Sequence, residues 1–255
     1  MELSVLSSGS SGNCFYVESD KNGLLIDCGI SCKQVLERME IIGKKPENIR
    51  GIFITHEHSD HIKGVDVLAR TFDIPIYATE KVIEDCFLCS DKHLVKEIGK
   101  NESVKIGDLT IEAFSKSHKA LDPVSFSIIN KKRLSIITDA GFICKNIEEN
   151  IKEADFLCLE SNHDLNMLEN GPYPIFLKNW IKSDIGHLSN MQASLGVLEY
   201  ASSNLKGVIL SHLSETNNNP KVALKTFSSL IKERFDLKPK VLVSTKFIPT
   251  ELVRI

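Results

Sequence analysis

Thr55-His56-Glu57-His58-Ser59-Asp60-His61 stands between an apolar run, Gly51–Thr55, and Ile62–Phe72, whose apolar spacing is that of a helix. Three of the chain's eight histidines and an aspartate therefore fall within six residues, at a passage from strand to helix. So many polar donors do not gather at a strand end by packing alone. Imidazole combined with carboxylate suits zinc, manganese or iron better than a hard cation that takes only oxygen. The chain must fold so that a strand end offers this loop to a metal, which is where layered α/β proteins carry their chemistry.

The flanking sequence fits such a fold. Leu3–Leu6, Cys14–Val17 and Leu24–Asp27 alternate with Gly/Ser/Asn turns and read as a β-meander. A helix over Cys32–Ile42, closed by Gly43, leads to the Gly51–Thr55 strand. A strand at Pro75–Ala78 and a helix near Glu80–Cys89 follow. Strands are then expected at Thr110–Phe114, Val124–Ile129 and Leu134–Thr138, with a turn over Asn130–Arg133. Phe156–Glu160 is a further strand, Met191–Ala201 a helix capped by Ser189 or Asn190, Val208–Ser211 a strand, Lys221–Phe235 a helix and Val241–Ser244 a last strand. Two strand-rich blocks with helices between them imply two sheets packed face to face. A length of 255 residues admits one large domain or two small ones, and without a low-complexity linker one domain over 1–255 is expected.

A formal charge of −3 gives no global reason to bind nucleic acid, so any basic surface must be local. The N-terminus lacks a basic region followed by a long apolar one, and no run approaches the ~20 residues that cross a bilayer. No signal peptide and no membrane partner are expected. Seven cysteines, an odd number without a secretion signal, argue for a reducing compartment and a cytoplasmic protein. Cys86 and Cys89 form a lone C-x-x-C within the Glu80–Cys89 helix and read as core or half-buried thiols, as do the other five.

Asp27, His118, Asp139, Glu160, His187 and His212 each follow a strand, and seven of the eight histidines fall at such positions; His93 is the exception. A single histidine there is more often structural than a ligand, but their number weakens that reading. The order Asp27, His56-x-His58-x-Asp60-His61, His118, Asp139, His212 resembles the metallo-β-lactamase-fold hydrolases. A narrower resemblance is to the YycJ/WalJ-type branch, which looks like DNA exonucleases. It is carried by Ser8–Asn13, Ser117-His118 with Asp122-Pro123-Val124, Glu160-Ser161-Asn162-His163-Asp164, Gly171–Pro174, Gly186–Asn190 and Ser211–Glu215.

The resemblance implies an α/β (α+β) fold, a four-layer αββα sandwich with the site at one edge. It also implies a nucleic acid, DNA above all, as partner, two divalent ions (Zn or Mn, with Fe allowed) and no organic cofactor. One ion would take His56, His58 and His118, the other Asp60, His61 and His212, with Asp139 bridging. Such a pair shares a hydroxide for in-line attack on phosphorus, the step in which Asp60 takes part as a ligand. Asp27 either fixes the tautomer of a ligand histidine or simply forms a turn. His187, oriented by Glu160, is the leading general acid for the departing alkoxide. Ser189 and Asn190 either hold a phosphate or cap a helix, and Asn162 and His163 are substrate contacts, His163 alternatively a spare ligand. The Ser7–Gly12 loop is either a phosphate cradle or a plain hairpin turn. Lys116, Lys119, Lys131, Lys132, Arg133, Lys178 and Lys182 can track a backbone or form a solvated face.

Only 72 residues separate Asp139 from His212, too few for the inserted domain of β-CASP nucleases. The leading expectation is a 5′-to-3′ DNA exonuclease. A small-molecule thioesterase, lactonase or cyclic-nucleotide phosphodiesterase uses the same ligands. A non-catalytic protein with a structural metal is the third reading, disfavoured by the His/Asp-rich set, because structural zinc sites are closed and often Cys-rich. A redox role is disfavoured by histidine at position 58.

Overall fold

Turn-forming residues cut the N-terminus into short apolar segments, and each becomes a strand. In the computed structural model, which describes residues 1–255, these are β1 (Glu2–Ser7), β2 (Cys14–Ser19) and β3 (Asn22–Ile26). Next come α1 (Cys32–Ile41), β4 (Ile49–Phe53), α2 (Ser59–Ile62), α3 (Val65–Phe72), β5 (Ile76–Ala78) and α4 (Glu80–Asp85). Strands β6 (Val95–Glu97), β7 (Ser103–Ile106), β8 (Leu109–Ser115) and β9 (Val124–Asn130) follow. Then β10 (Lys132–Ile137), α5 (Lys145–Glu153), β11 (Phe156–Glu160), α6 (Leu165–Asn170), α7 (Ile175–Ile181) and α8 (Asn190–Tyr200) lead to β12 (Gly207–Ser211), α9 (Pro220–Ile231), β13 (Lys240–Val243) and β14 (Val253–Arg254). The class is α/β. No helix is long and apolar enough to cross a membrane.

The chain divides into two units, one formed by Met1–Ser115, Ala120–Lys131 and Thr245–Ile255, the other by Lys116–Lys119 and Lys132–Ser244. In the first, a sheet runs β14-β1-β2-β3-β4-β5-β6. It is antiparallel through β3 and parallel from β3 to β6. Strands β7, β8 and β9 of the same unit pair antiparallel. Phe53 of β4 meets Phe126 of β9 edge-on, with ring centroids 5.6 Å apart, and stacks on Tyr77 at 4.6 Å. Such aromatic pairs add to the gain from burial alone. The second unit is a parallel sheet of β10 to β13 in sequence order. Every residue of β11 and β12 is buried, as strands covered on both faces require.

Several elements differ from expectation. The helix expected over Ile62–Phe72 is broken: Gly64 separates α2 from α3, its N–H bonded to Cys28 O at 2.8 Å. A Cβ at Gly64 would stand 2.0 Å from Ile30 O, so only glycine allows this approach. Helix α4 ends at Asp85, which leaves Cys86 and Cys89 beyond it, not inside. Cys89 is buried and Cys86 half-buried, and burial pushes both thiols up in pKa, so neither is a reactive thiolate at neutral pH. Helix α9 stops at Ile231, four residues early, where Phe235 stands exposed in the following turns.

Candidate metal centre

The loop after β4 is fixed by the backbone around it. Gly29 passes so close to it that a Cβ there would lie 1.6 Å from Asp60 O. Asn13 N donates to that same carbonyl at 2.8 Å, and Cys28 N donates to His61 O at 2.8 Å. The glycine/serine run before Asn13 joins the antiparallel strands β1 and β2, the hairpin connection of the two readings. It folds back through Gly9 N and Ser8 Oγ onto Asn13 Oδ1, both at 3.1 Å. Asn13 Nδ2 in turn reaches His61 Nε2 at 3.2 Å and Asp60 Oδ2 at 3.3 Å.

Asp27, fully buried, orders the histidines of this unit. Its Oδ1 accepts from Thr55 N at 2.8 Å, and its Oδ2 accepts from Thr55 Oγ1 at 2.9 Å and from His61 Nδ1 at 2.6 Å. A carboxylate only accepts, so His61 carries its proton on Nδ1 and keeps a lone pair on Nε2. The Thr55 hydroxyl hydrogen is used on Asp27, so its oxygen accepts from His56 Nδ1 at 2.9 Å. That leaves a lone pair on His56 Nε2, 3.1 Å from His58 Nδ1. One carboxylate, relayed by one hydroxyl, thus sets two tautomers. Glu57 is occupied elsewhere, accepting from Leu121 N at 3.0 and 3.2 Å.

The second unit gathers its own cluster from the ends of β10, β11 and β12 and from two loops; His187, expected after a strand, stands between α7 and α8. Asp139, just past β10, has Oδ1 3.3 Å from His212 Nε2, 3.7 Å from His187 Nδ1 and 3.8 Å from His118 Nε2. His118 Nδ1 donates to Gly186 O at 3.1 Å, which fixes its tautomer. Burial pushes the His118 imidazole down to about 4, against the pull of Asp139, so it is neutral at pH 7. Glu160, the last residue of β11, is fully buried. Its Oε2 accepts from Ala140 N at 2.8 Å and Leu188 N at 3.1 Å, and its Oε1 accepts from His187 Nδ1 at 2.7 Å. Burial alone would raise the Glu160 carboxyl, but the charge and hydrogen bond of His187, with His212 beyond, hold it below its ordinary value. The His187 ring stacks on His212 at 5.3 Å and meets Trp180 edge-on at 5.5 Å.

Three residues of these clusters have left-handed backbones: Asp27 (φ 59°), Asp139 (φ 53°) and His212 (φ 54°). Non-glycine residues rarely adopt this conformation, and where it persists it tends to sit at working sites. The donors suit a divalent ion. They are imidazole nitrogens with lone pairs fixed by their partners, and carboxylate oxygens. In the second unit the ligand atoms of Asp139, Glu160, His187 and His212 all lie within 4.8 Å of one another.

Four residues expected at the substrate are placed differently. Ser189 caps α8 in a reciprocal box with Gln192, accepting from Gln192 N at 3.2 Å. Asn190 Oδ1 accepts from Ser161 Oγ and Asn218 Nδ2, and Asn162 Nδ2 donates to His212 O at 3.0 Å. His163 is buried with neither ring nitrogen bonded, and burial lowers its pKa to about 4. All four are covered, and the first three are bonded into the frame behind Glu160 and His212. The lysines are also mostly engaged. Lys116 Nζ is buried on Thr138 O at 2.5 Å, Lys132 pairs with Asp155 at 2.7 Å, Arg133 with Glu153 at 3.3 Å, and Lys182 with Glu169. Asn13 and Thr55 were not among the expected site residues. Thr55 directly precedes the histidine motif, and Asn13 closes the Ser8–Asn13 segment.

A model of the beta-lactamase superfamily domain matches residues 22–212. The chain is 37% identical over 240 residues to the exodeoxyribonuclease YycJ of Bacillus anthracis, covering 92% of this chain and 90% of that one. It is 39% identical over 234 residues to the exodeoxyribonuclease WalJ of Streptococcus pneumoniae serotype 2 (strain D39 / NCTC 7466), covering 88% and 86%. Among solved structures, the metallo-beta-lactamase fold protein YhfI of Bacillus subtilis superposes with a TM-score of 0.72 over 98% of both chains at 15% identity. That likeness shows the fold, the one expected from the order of motifs.

Proposed function

The chain belongs to the beta-lactamase superfamily, and from that premise we propose that it is a metal-dependent nuclease, an exodeoxyribonuclease that degrades DNA from a 5′ end. One observation carries the choice of a phosphodiester: the buried Glu160 carboxylate 2.7 Å from His187 Nδ1, with Asp139 Oδ1 3.7 Å from the same nitrogen. Departure of an alkoxide needs a proton, and an imidazole pinned by a buried carboxylate is built to hold and deliver one from its other nitrogen. Two divalent ions, zinc or manganese, would be held by His56, His58 and His118 and by Asp60, His61 and His212, with Asp139 shared. When bound, they supply Lewis acidity and lower the pKa of water toward neutrality. Asp27 and Thr55 keep the ligand nitrogens of His56 and His61 deprotonated. Glu160 orients His187 through Nδ1, and Ser189, Asn190 and Asn162 hold the backbone of that region in place. One catalytic domain over 1–255, acting in the cytoplasm, completes the reading.

The test is an end-labelled duplex incubated with purified protein and manganese or zinc, beside a panel of small thioesters, lactones and cyclic nucleotides. Progressive loss of label from the 5′ end is expected, with the small substrates turned over far more slowly. Intact DNA across several metals, or preference for a small ester, overturns the proposal.

A further inference from the structure

Within the first unit a cavity of about 230 Å³, whose lining includes none of the histidine loop's ligands, opens between α1, the Ser7–Ser11 turn and Lys246. Its lining holds three cations, Arg38, Lys63 and Lys246, and no acidic residue. Arg38 is the informative member. It is 7% exposed, and the hydrogen bond of its guanidinium runs from Nη1 to Leu6 O at 3.0 Å. A guanidinium carries five donors, and no carboxylate pairs with this one; its neighbour Glu37 pairs with Lys33 at 3.7 Å. Burying a charge without a counter-charge is costly unless something of opposite sign arrives to offset it.

The other linings point the same way. Gln34 accepts from Ser31 N and Ser31 Oγ through Oε1, which turns its NH2 group away as two further donors. Lys63 follows α2 directly, and Lys246 Nζ lies 5.1 Å from the Phe247 ring. Arg38 with lysines is the set that recognises oxyanions. The volume falls short of the roughly 300–1,000 Å³ that enclose a drug-sized ligand, and suits a phosphate with its water.

We infer that this cavity is an oxyanion site that takes a phosphate group, distinct from the metal-ligating cluster. The proposal goes beyond the nuclease reading and stands without it. Two sources share the chemistry, free inorganic phosphate and a phosphate of a DNA strand.

Calorimetric titration of the metal-loaded protein with inorganic phosphate, and separately with a short single-stranded oligonucleotide, reads both. The variants are Arg38→Gln and the double variant Lys63→Ala with Lys246→Ala, whose exposed or half-buried side chains leave folding intact if Arg38→Gln does not. Bound metal is measured throughout. At least a tenfold loss of phosphate affinity at unchanged metal content is expected in the double variant. If the oligonucleotide also weakens, the ligand is a strand phosphate; if phosphate alone weakens, it is the free anion. Equal phosphate affinity in wild type and double variant overturns the site, because all binding would then lie at the metals. Failure of the nuclease reading looks different: no DNA is cut by the wild type, while the phosphate titration still separates the variants.

Discussion

The two units assemble their polar clusters in opposite ways. In the first, four candidate ligands lie within six residues of one loop, and a single carboxylate, Asp27, orders two of the histidines through Thr55. In the second, Asp139, Glu160 and His212 come from the ends of β10, β11 and β12, which finish side by side, while His118 follows β8 and His187 stands between α7 and α8. A contiguous cluster depends on local backbone, here the glycine approaches at Gly29 and Gly64. A dispersed one depends on register, where every strand must be correctly placed before any ligand is.

Removing one ligand from each cluster tests whether both are needed. His56→Ala and His212→Ala, which remove one ligand of each proposed ion, should each abolish nuclease activity, by a thousandfold or more, and each should lower bound metal as read by elemental analysis. If one of them retains activity, the clusters are not equivalent partners and the dinuclear proposal falls.

A matched pair of carboxylate changes then separates what the two clusters do. Asp27→Asn removes an acceptor that fixes ligand tautomers, so a loss of metal affinity of about 10–100-fold is expected. Glu160→Gln removes the partner of His187, and turnover should fall by about 10²-fold with metal content retained. The same metal loss in both would mean that Glu160 also serves the ligands and that His187 is no proton donor.

Smaller effects probe the frames. Ser189→Ala removes the cap of α8 and should cost about 1 kcal/mol, or about 2–4 °C in melting temperature. In the first unit, burial would raise the Glu18 carboxyl, but Lys44 at 2.5 Å, with Tyr16 and Asn48, holds it below its ordinary value of 4.5. A depressed carboxylate contributes stability that is present above its unfolded pKa and is lost as pH falls through the folded one. The wild type should therefore lose stability below about pH 4.5, and Glu18→Gln should flatten that acid limb in thermal melts across pH. An unchanged limb would assign acid sensitivity to other carboxylates.

Legibility followed the same division. The histidine loop, Phe156–Glu160 and the positions of Asp139 and His212 were readable because apolar runs and polar strand ends are local signals. Helices α6 and α7 were not: they are short, flanked by Gly171, Pro172 and Pro174, and expose Ile175 and Phe176, which hides any apolar stripe. Helix α5 escaped because it buries only Ile147 and Ile151. Asn13 escaped because its role comes from a chain crossing 47 residues away. Ser189 follows the same rule. A serine before a helix looks the same in sequence whether its hydroxyl meets a ligand or Gln192 N, and burial decides for the cap.

Asp27, Asp139 and His212 share left-handed torsions that glycine would adopt without cost. Replacing any of them by glycine relaxes the chain and simultaneously deletes the group the site requires. At Asp27 the exchange would also leave the buried donors Thr55 N, Thr55 Oγ1 and His61 Nδ1 without their acceptor, so the relief of torsion there is more than offset. A durable variant that still works will have to acquire its extra margin somewhere else in the molecule.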